Sequence, residues 1–343
     1  VRRLLSDPHK SPRRYFVPVA LAPSAPIGKS GDVLAIVAPG QGAQKPGLLS
    51  AWLEDSSFAA HLAWLSAVAD IDLSAHGTVS DQATIKDTAV AQPLLVASSL
   101  ATGWAVAEDL FSRADLLAGH SVGEIAAGAG AGAFSPEAAM VLVRERGRAM
   151  AEAAALTSTS MTAVIGGVQE DVLAAIDAAG LTPANYNGKG QIVAGGTVEQ
   201  LAAFAERPPA RTRLFPLSVA GAFHTAHMEP AVRHLAEVAA AMPTGTPSTA
   251  LLSDLDGEVV TEGRAFADRL VHQVAHPVRW DLCMATMAER GVTGIMELTP
   301  AGTLTGIAKR NLKGVELFNL NTPDQLADAR AFVEKHSTKT AEV

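Results

Sequence analysis

Short runs of uninterrupted apolar residues recur along the chain, each closed by glycine, proline or a polar turn. Val33-Leu34-Ala35-Ile36-Val37-Ala38 runs into Pro39-Gly40-Gln41-Gly42-Ala43-Gln44, and Leu116-Leu117-Ala118 runs into Gly119-His120-Ser121-Val122-Gly123. Ala250–Ser253 and Gly294–Leu298 also have strand patterns. Apolar residues at every position, not at alternate ones, predict parallel strands buried on both faces. Helical patterns lie between the runs. Residues 47–110 alternate such patterns with polar turns, and Thr88–Ala97 reads as a loop entering a buried helix with Pro93 near its first turn. A helix over 136–154 opens with Ser135 as N-cap and Pro136 at the first helical position. An amphipathic helix covers 229–241, another helix covers 302–311, and His272–Trp280 ends one helix and begins the next. Strands alternating with helices predict an α/β fold on a parallel sheet.

Residues 161–217 break this rhythm. Met161–Gly167, Ala184–Asn187, Gln191–Gly196 and Arg211–Leu217 read as strands, Asp171–Ala179 and Val198–Ala205 as helices. The order β-α-β-β-α-β is the split ferredoxin-like arrangement. We therefore expect a small ferredoxin-like subdomain at 156–217, inserted between the two halves of a main domain at 33–155 and 218–330. Residues 1–32, rich in Pro, Ser and Arg and without period, read as a disordered extension, and 331–343 as a C-terminal tail. Pro12–Val17 faintly resembles a twin-arginine export signal, but Pro18, Pro23 and Pro26 break the stretch that follows. An upstream translation start or added residues explain the segment equally well.

Composition narrows the function classes. With 343 residues, 48% hydrophobic and 18% charged, the chain suits a globular protein with a sizeable core. Its single cysteine, Cys283, excludes an intrachain disulfide and suits a reducing, cytoplasmic setting. In Trp280-Asp281-Leu282-Cys283-Met284 it reads as a buried helix position. No uncharged apolar run of about 18 residues is expected, which argues against a membrane span. The net charge of −8 leaves an acidic body behind the basic residues 1–32, a poor partner for nucleic acid.

The chemistry gathers at Gly119-His120-Ser121-Val122-Gly123. A strand, a G-x-S-x-G turn and a helix-compatible segment make a nucleophile elbow, in which glycines let strand and helix approach. Ser121 Oγ is expected at its tip, near N–H groups at a helix start that suit an oxyanion. A Gly-rich turn that happens to contain serine is the bland alternative, and the flanking elements weigh against it. A serine needs a base. Among ten histidines His224 is the best placed, in a small-residue turn, with His227 three residues on; a structural histidine is the ordinary alternative. His120 adjoins the serine but is expected to point elsewhere. No acid between Ser121 and His224 stands at a strand end, which suggests a dyad with a backbone or amide carbonyl holding the imidazole. Arg146, next to Gly147, is the inward member of Arg144, Arg146 and Arg148 and offers a planar grip on a carboxylate. Gln41 is read as facing the same cleft, Gln44 as an ordinary turn residue, and Gln92 as a capping or packing residue, with a place in the cleft wall as its alternative. The glycines at 40 and 42 fall short of a dinucleotide fingerprint, because Lys45 stands where the third is needed.

Gly40-Gln41-Gly42, Gly119–Glu124, Arg146-Gly147, Gly221-Ala222-Phe223-His224 and Gln273–Trp280 occur in the order and spacing of malonyl-CoA:acyl carrier protein transacylases, and the chain resembles that family from about Val33 to about residue 330. The resemblance implies an α/β-hydrolase-like core carrying the ferredoxin-like insertion. It implies Ser121 as acylated nucleophile, His224 as base, Gln41 and the Val122 N–H as oxyanion hole, Arg146 as partner of the malonyl carboxylate and the Gln273 carbonyl as holder of the histidine. Phe223 would favour malonyl over methylmalonyl. It further implies a monomer acting on malonyl-CoA and phosphopantetheinylated acyl carrier protein, in fatty-acid or polyketide synthesis, with no cofactor and no metal. A serine esterase or thioesterase shares the elbow and base, and a carrier-docking module with a vestigial site is the non-enzymatic alternative. Lys45, Lys189, Lys309 and Arg310 are candidates for docking an acidic carrier, each also readable as a solvated surface charge.

Overall fold

Two sheets divide the work of the fold, one holding the core and one covering the carboxyl edge of the first. The computed structural model describes residues 31–339, so the reading of an N-terminal extension and its twin-arginine stretch lies almost wholly outside the described residues. The larger sheet contains β1 (Leu34–Ala38), β2 (Leu116–Gly119), β7 (Ala250–Leu252), β8 (Val259–Val260), β9 (Gly294–Glu297) and β10 (Glu316–Asn319). The smaller contains β3 (Thr159–Gly166), β4 (Thr182–Tyr186), β5 (Gln191–Thr197) and β6 (Thr212–Pro216).

The larger sheet runs β10-β9-β1-β2-β7-β8, parallel except for the last pair. Its inner strands β1, β2 and β7 are apolar because both faces are covered, whereas β9 ends in the buried Glu297 and β10 lies half-exposed at the edge. Leu34, Ile36 and Leu117 pack under the helices Ser56–Ala69, Thr88–Val106 and Pro136–Ala155, whereas Ala35, Val37 and Leu116 pack against Trp280–Glu289 and Thr303–Asn311. The smaller sheet is antiparallel in the order β4-β5-β3-β6, the ferredoxin-like topology, with Gln169–Ala178 and Val198–Glu206 on one face. The fold is thus α/β, a hydrolase-like core with a ferredoxin-like insertion. The chain enters that insertion from Pro136–Ala155, and the return from β6 delivers residues 217–224 to the core.

Three expectations need correction. Thr88–Val106 is an uncharged helix long and apolar enough to cross a membrane by composition, contrary to the reading that no such run exists; 78% of its most apolar window is buried inside the protein, so it is a core helix. Its first turn is already helical, capped by Asp87 on the Ala89 N–H, and Pro93 lies inside the helix. The boundary drawn at 330 falls within the helix Leu326–His336. Ala329, Val333 and His336 are buried there, and His336 binds Thr293 and Glu316, both at 2.9 Å, so the packed body extends past 330.

Candidate active site

β1, β2 and β7 end side by side, and the loops leaving their carboxyl ends build the site, where open parallel sheets commonly bind ligands. After β2 the chain turns sharply into the helix Gly123–Gly130. A Cβ at Gly123 would collide with the Ala38 carbonyl, so this approach of helix to β1 requires glycine. Ser121, at the apex, has φ 57°, and His224 has φ 60°. Both lie in the left-handed region, where a side chain costs of order 1–3 kcal/mol and such strain concentrates at functional sites.

Ser121 Oγ lies 2.7 Å from His224 Nε2. His224 Nδ1 lies 2.8 Å from the Gln273 carbonyl oxygen. A carbonyl only accepts, so Nδ1 carries the proton and the Nε2 lone pair faces the serine hydroxyl. Burial, and then the nearby Arg146 charge, pull the His224 pKa down to about 3. The imidazole is therefore neutral and able to take a proton. The carbonyl occupies the place where a hydrolase triad holds an acid, as the dyad reading anticipated.

Arg146 comes from the middle of Pro136–Ala155 and is 2% exposed. Its neighbours Arg144 and Arg148 instead pair with Glu145 at 2.8 and 3.8 Å on the outside. Nη1 donates to Gln92 Oε1 at 2.8 Å, and Nη2 donates to Gln273 Oε1 at 2.9 Å and to Ser121 Oγ at 3.3 Å. The buried Nε has no partner among the described residues. Burial lowers the Arg146 pKa to about 10, opposed by Glu124 and Asp254, so the guanidinium stays charged at neutral pH.

Two carboxyls beneath the serine escaped the sequence reading. Asp254 Oδ2 accepts the Ser121 N–H at 2.7 Å, and Glu124 Oε1 accepts the Asp254 N–H at 2.8 Å. The Gln273 Nε2 amide donates to both acids. Burial holds both carboxyls above the usual range. Asp254 stands two residues past the end of β7, a strand-end acid, but it lies after His224 and not between Ser121 and His224. Cys283 is buried on Trp280–Glu289, as expected, with its thiol against Ser253 and Asp254.

A cavity of about 320 Å³ opens in front of the serine, with Gln41, His120, Met150, Phe223 and His224 in its wall. The Gln41 side chain is tied by Nε2 to the Lys86 carbonyl and Thr88 Oγ1 at 3.5 and 3.3 Å, leaving its backbone N–H as the free donor. Neither that N–H nor the Val122 N–H, at the N-cap of Gly123–Gly130, has a protein acceptor among the described residues. Gln44 pins the loop through Gly42 N–H and the Ile85 carbonyl. His120 does line the cavity, contrary to expectation, because its Nε2 reaches Asn187 Oδ1 across to the small sheet at 3.0 Å. Gln92 lines the cavity, the alternative to its capping or packing reading, and holds Arg146. At the mouth, Lys86 binds Ser218 and Arg310 binds Gln191. Arg310 was among the basic residues singled out from the sequence; Lys86 was not. Lys45 is exposed beside Gln44, and the Lys189 N–H binds Asn311.

Residues 36–338 match the family described as the acyl transferase domain. Over 301 residues the chain is 47% identical to the malonyl CoA-acyl carrier protein transacylase of Mycobacterium tuberculosis (strain ATCC 25618 / H37Rv), spanning 86% of this chain and 100% of that protein. Identity to the Escherichia coli (strain K12) protein of the same name is 31% over 303 residues, 86% of this chain and 98% of that one. The crystal structure of MCAT from Mycobacterium tuberculosis superposes with a TM-score of 0.84 at 46% identity, covering 87% of this chain and 99% of that chain. A malonyl-transacylase in complex with a type II PKS acyl-carrier protein gives 0.81 at 30% identity, with 87% and 99% covered. With this fold, and with a serine, a histidine and a buried arginine around one cavity, the chain belongs to the acyl transferase family, among the malonyl-CoA:acyl carrier protein transacylases.

Proposed function

We propose that this protein moves the malonyl group from malonyl-CoA to the phosphopantetheine thiol of holo-acyl carrier protein through a malonyl ester on Ser121. The observation that carries this reading is the Arg146 guanidinium, buried 3.3 Å from Ser121 Oγ with its Nε–H unmatched. Simple esters give such a fixed cation nothing to bind. A dicarboxylic half-thioester brings a carboxylate that pairs with it by two parallel hydrogen bonds. The names of the relatives, and the carrier protein bound in one of them, point the same way.

Ser121 Oγ attacks the thioester carbonyl as its proton passes to His224 Nε2. The N–H groups of Val122 and Gln41 receive the oxyanion, and the Gln273 carbonyl stabilises the imidazolium. Collapse breaks the C–S bond, and the proton on His224 leaves with the CoA thiolate. The carrier thiol then gives its proton to His224 and attacks the ester, returning Ser121 to its hydroxyl. The exchange is redox-neutral and its protons move through His224, so this reading calls for no cofactor or metal. The buried Phe223 ring in the cavity wall leaves little room for an α-methyl group. Arg146 also depresses the His224 pKa, so a carboxylate docked on it would make the base more basic when the right substrate arrives.

Brief exposure to malonyl-CoA should add the mass of one malonyl group, lost in Ser121→Ala and discharged by holo-carrier protein. Rapid release of free malonate without the carrier would instead favour a thioesterase.

A further inference from the structure

Ser121 sits in the left-handed region, and something must keep it there. At the end of β2 the sheet still serves the His120 N–H, which donates to the Ala38 carbonyl at 3.0 Å. One residue on, the chain has turned and the Ser121 N–H has no strand to bind. It is met by Asp254 Oδ2 at 2.7 Å. Asp254 is itself fixed at both backbone groups: its N–H donates to Glu124 Oε1 at 2.8 Å, and its carbonyl accepts the Arg279 N–H at 2.7 Å. Glu124 stands three residues after Ser121, on the first turn of Gly123–Gly130. The two ends of the elbow are thus tied reciprocally to one residue of a neighbouring strand end, an arrangement like a helix capping box but made across the sheet.

From this geometry we infer that Asp254 is a positioning residue for the nucleophile, its carboxylate holding the Ser121 backbone so that Oγ faces His224 and Arg146 together. Glu124 locks Asp254 in place. A consequence follows for the oxyanion: the Ser121 N–H is committed to Asp254, so the donors left for the acyl oxygen are those of Val122 and Gln41. The inference rests on Ser121 being the acylated residue, which the mass measurement above tests separately, and its first readout needs no turnover.

In ¹⁵N-serine-labelled protein, the Ser121 amide, recognised by its absence in Ser121→Ala, is expected far downfield and slow to exchange, as a short N–H bond to a carboxylate requires. Asp254→Asn should move it upfield, since a neutral acceptor replaces the charged one. A Ser121 amide at an ordinary shift, or one that Asp254→Asn leaves in place, overturns the inference. In stopped malonyl-CoA reactions read by intact mass, Asp254→Leu should slow acylation about 100-fold, with the KM for malonyl-CoA within about threefold, and Asp254→Asn should recover most of that rate because an amide oxygen still accepts the N–H. Equal losses in the two variants, or a loss confined to KM, would also overturn it.

Discussion

Truncating Arg146 to alanine separates a carboxylate clamp from a structural cation. In the parent, the guanidinium engages Gln92, Gln273 and Ser121 at 2.8, 2.9 and 3.3 Å. Two charge-assisted hydrogen bonds to a malonyl carboxylate, at about 1.5–3 kcal/mol each, put the lost transition-state stabilisation at roughly 3–6 kcal/mol, about 150- to 25,000-fold in kcat/KM for malonyl-CoA. Acetyl-CoA has no carboxylate to lose. It also escapes the cost of leaving the cation buried without a counter-ion, so its rate should hold or rise. Removing the arginine also strands Gln92 Oε1 and Gln273 Oε1, which are 1% and 2% exposed residues, and some loss of Tm is expected on that account. Because Gln273 also holds His224, a general disturbance would lower both rates by one common factor. The ratio of malonyl to acetyl rates, measured as acyl-enzyme formation by intact mass, cancels that factor. Arg146→Lys should fall between the two, keeping the charge but not the planar fork. A malonyl-to-acetyl ratio unchanged in Arg146→Ala refutes the clamp.

Three further outcomes are expected. His224 has a folded pKa of about 3 against an ordinary value of 6.5, so the folded state binds fewer protons between those values; its contribution to stability is full above pH 6.5 and is lost as pH falls toward 3. His224→Gln should therefore gain on the parent in Tm as pH falls from 7 to 4, and a constant difference across that range would show that the buried neutral histidine is not the cause. Gly123→Ala drives a Cβ into the Ala38 carbonyl, and such overpacking typically costs about 1–3 kcal/mol or more, so Tm should drop by several degrees along with the acylation rate; an unchanged Tm would mean the helix has room to shift. Lys86→Ala together with Arg310→Ala should raise the KM for holo-carrier protein and weaken its dependence on salt while sparing the KM for malonyl-CoA; equal effects on both substrates would place these residues on CoA instead.

How much of this was legible beforehand depends on the range over which each interaction acts. The strands β1, β2 and β7 were readable because burial on both faces writes an unbroken apolar run, and β9 nearly so, broken only by Glu297. β10, half-exposed at the sheet edge with Glu316 and Asn319 at its ends, carries no such mark. The elbow was readable for the same local reason: Gly123 is demanded by a backbone one strand away. Arg146 was legible from the adjacent Gly147, which packs against the Thr88 backbone and marks the inward face among three arginines. Gln92 was legible only as one of two alternatives and Asp254 not at all, since the hydrogen bonds that tie them to Arg146 and Ser121 span 54 and 133 positions. Neither leaves a period or a composition by which a chain could be searched.

The missed acid shows what assumption cost the reading its deepest layer. Looking for a carboxylate to serve the histidine limits the search to the role a triad assigns it, and by that test the chain has none. Here Gln273 serves the histidine with its backbone and Arg146 with its side chain, and the carboxylate is displaced one step, from the base to the nucleophile's own N–H. That displacement has a physical logic. A carboxylate against His224 would stand beside the arginine meant for the substrate and would satisfy it in advance. Set below the elbow, Asp254 and Glu124 oppose the lowering of the arginine's pKa by burial, yet its direct hydrogen bonds go only to neutral groups, the amides of Gln92 and Gln273 and the Ser121 hydroxyl. A cation held by neutral acceptors remains free to prefer a charged one, and this is the property that a malonyl-selective site requires.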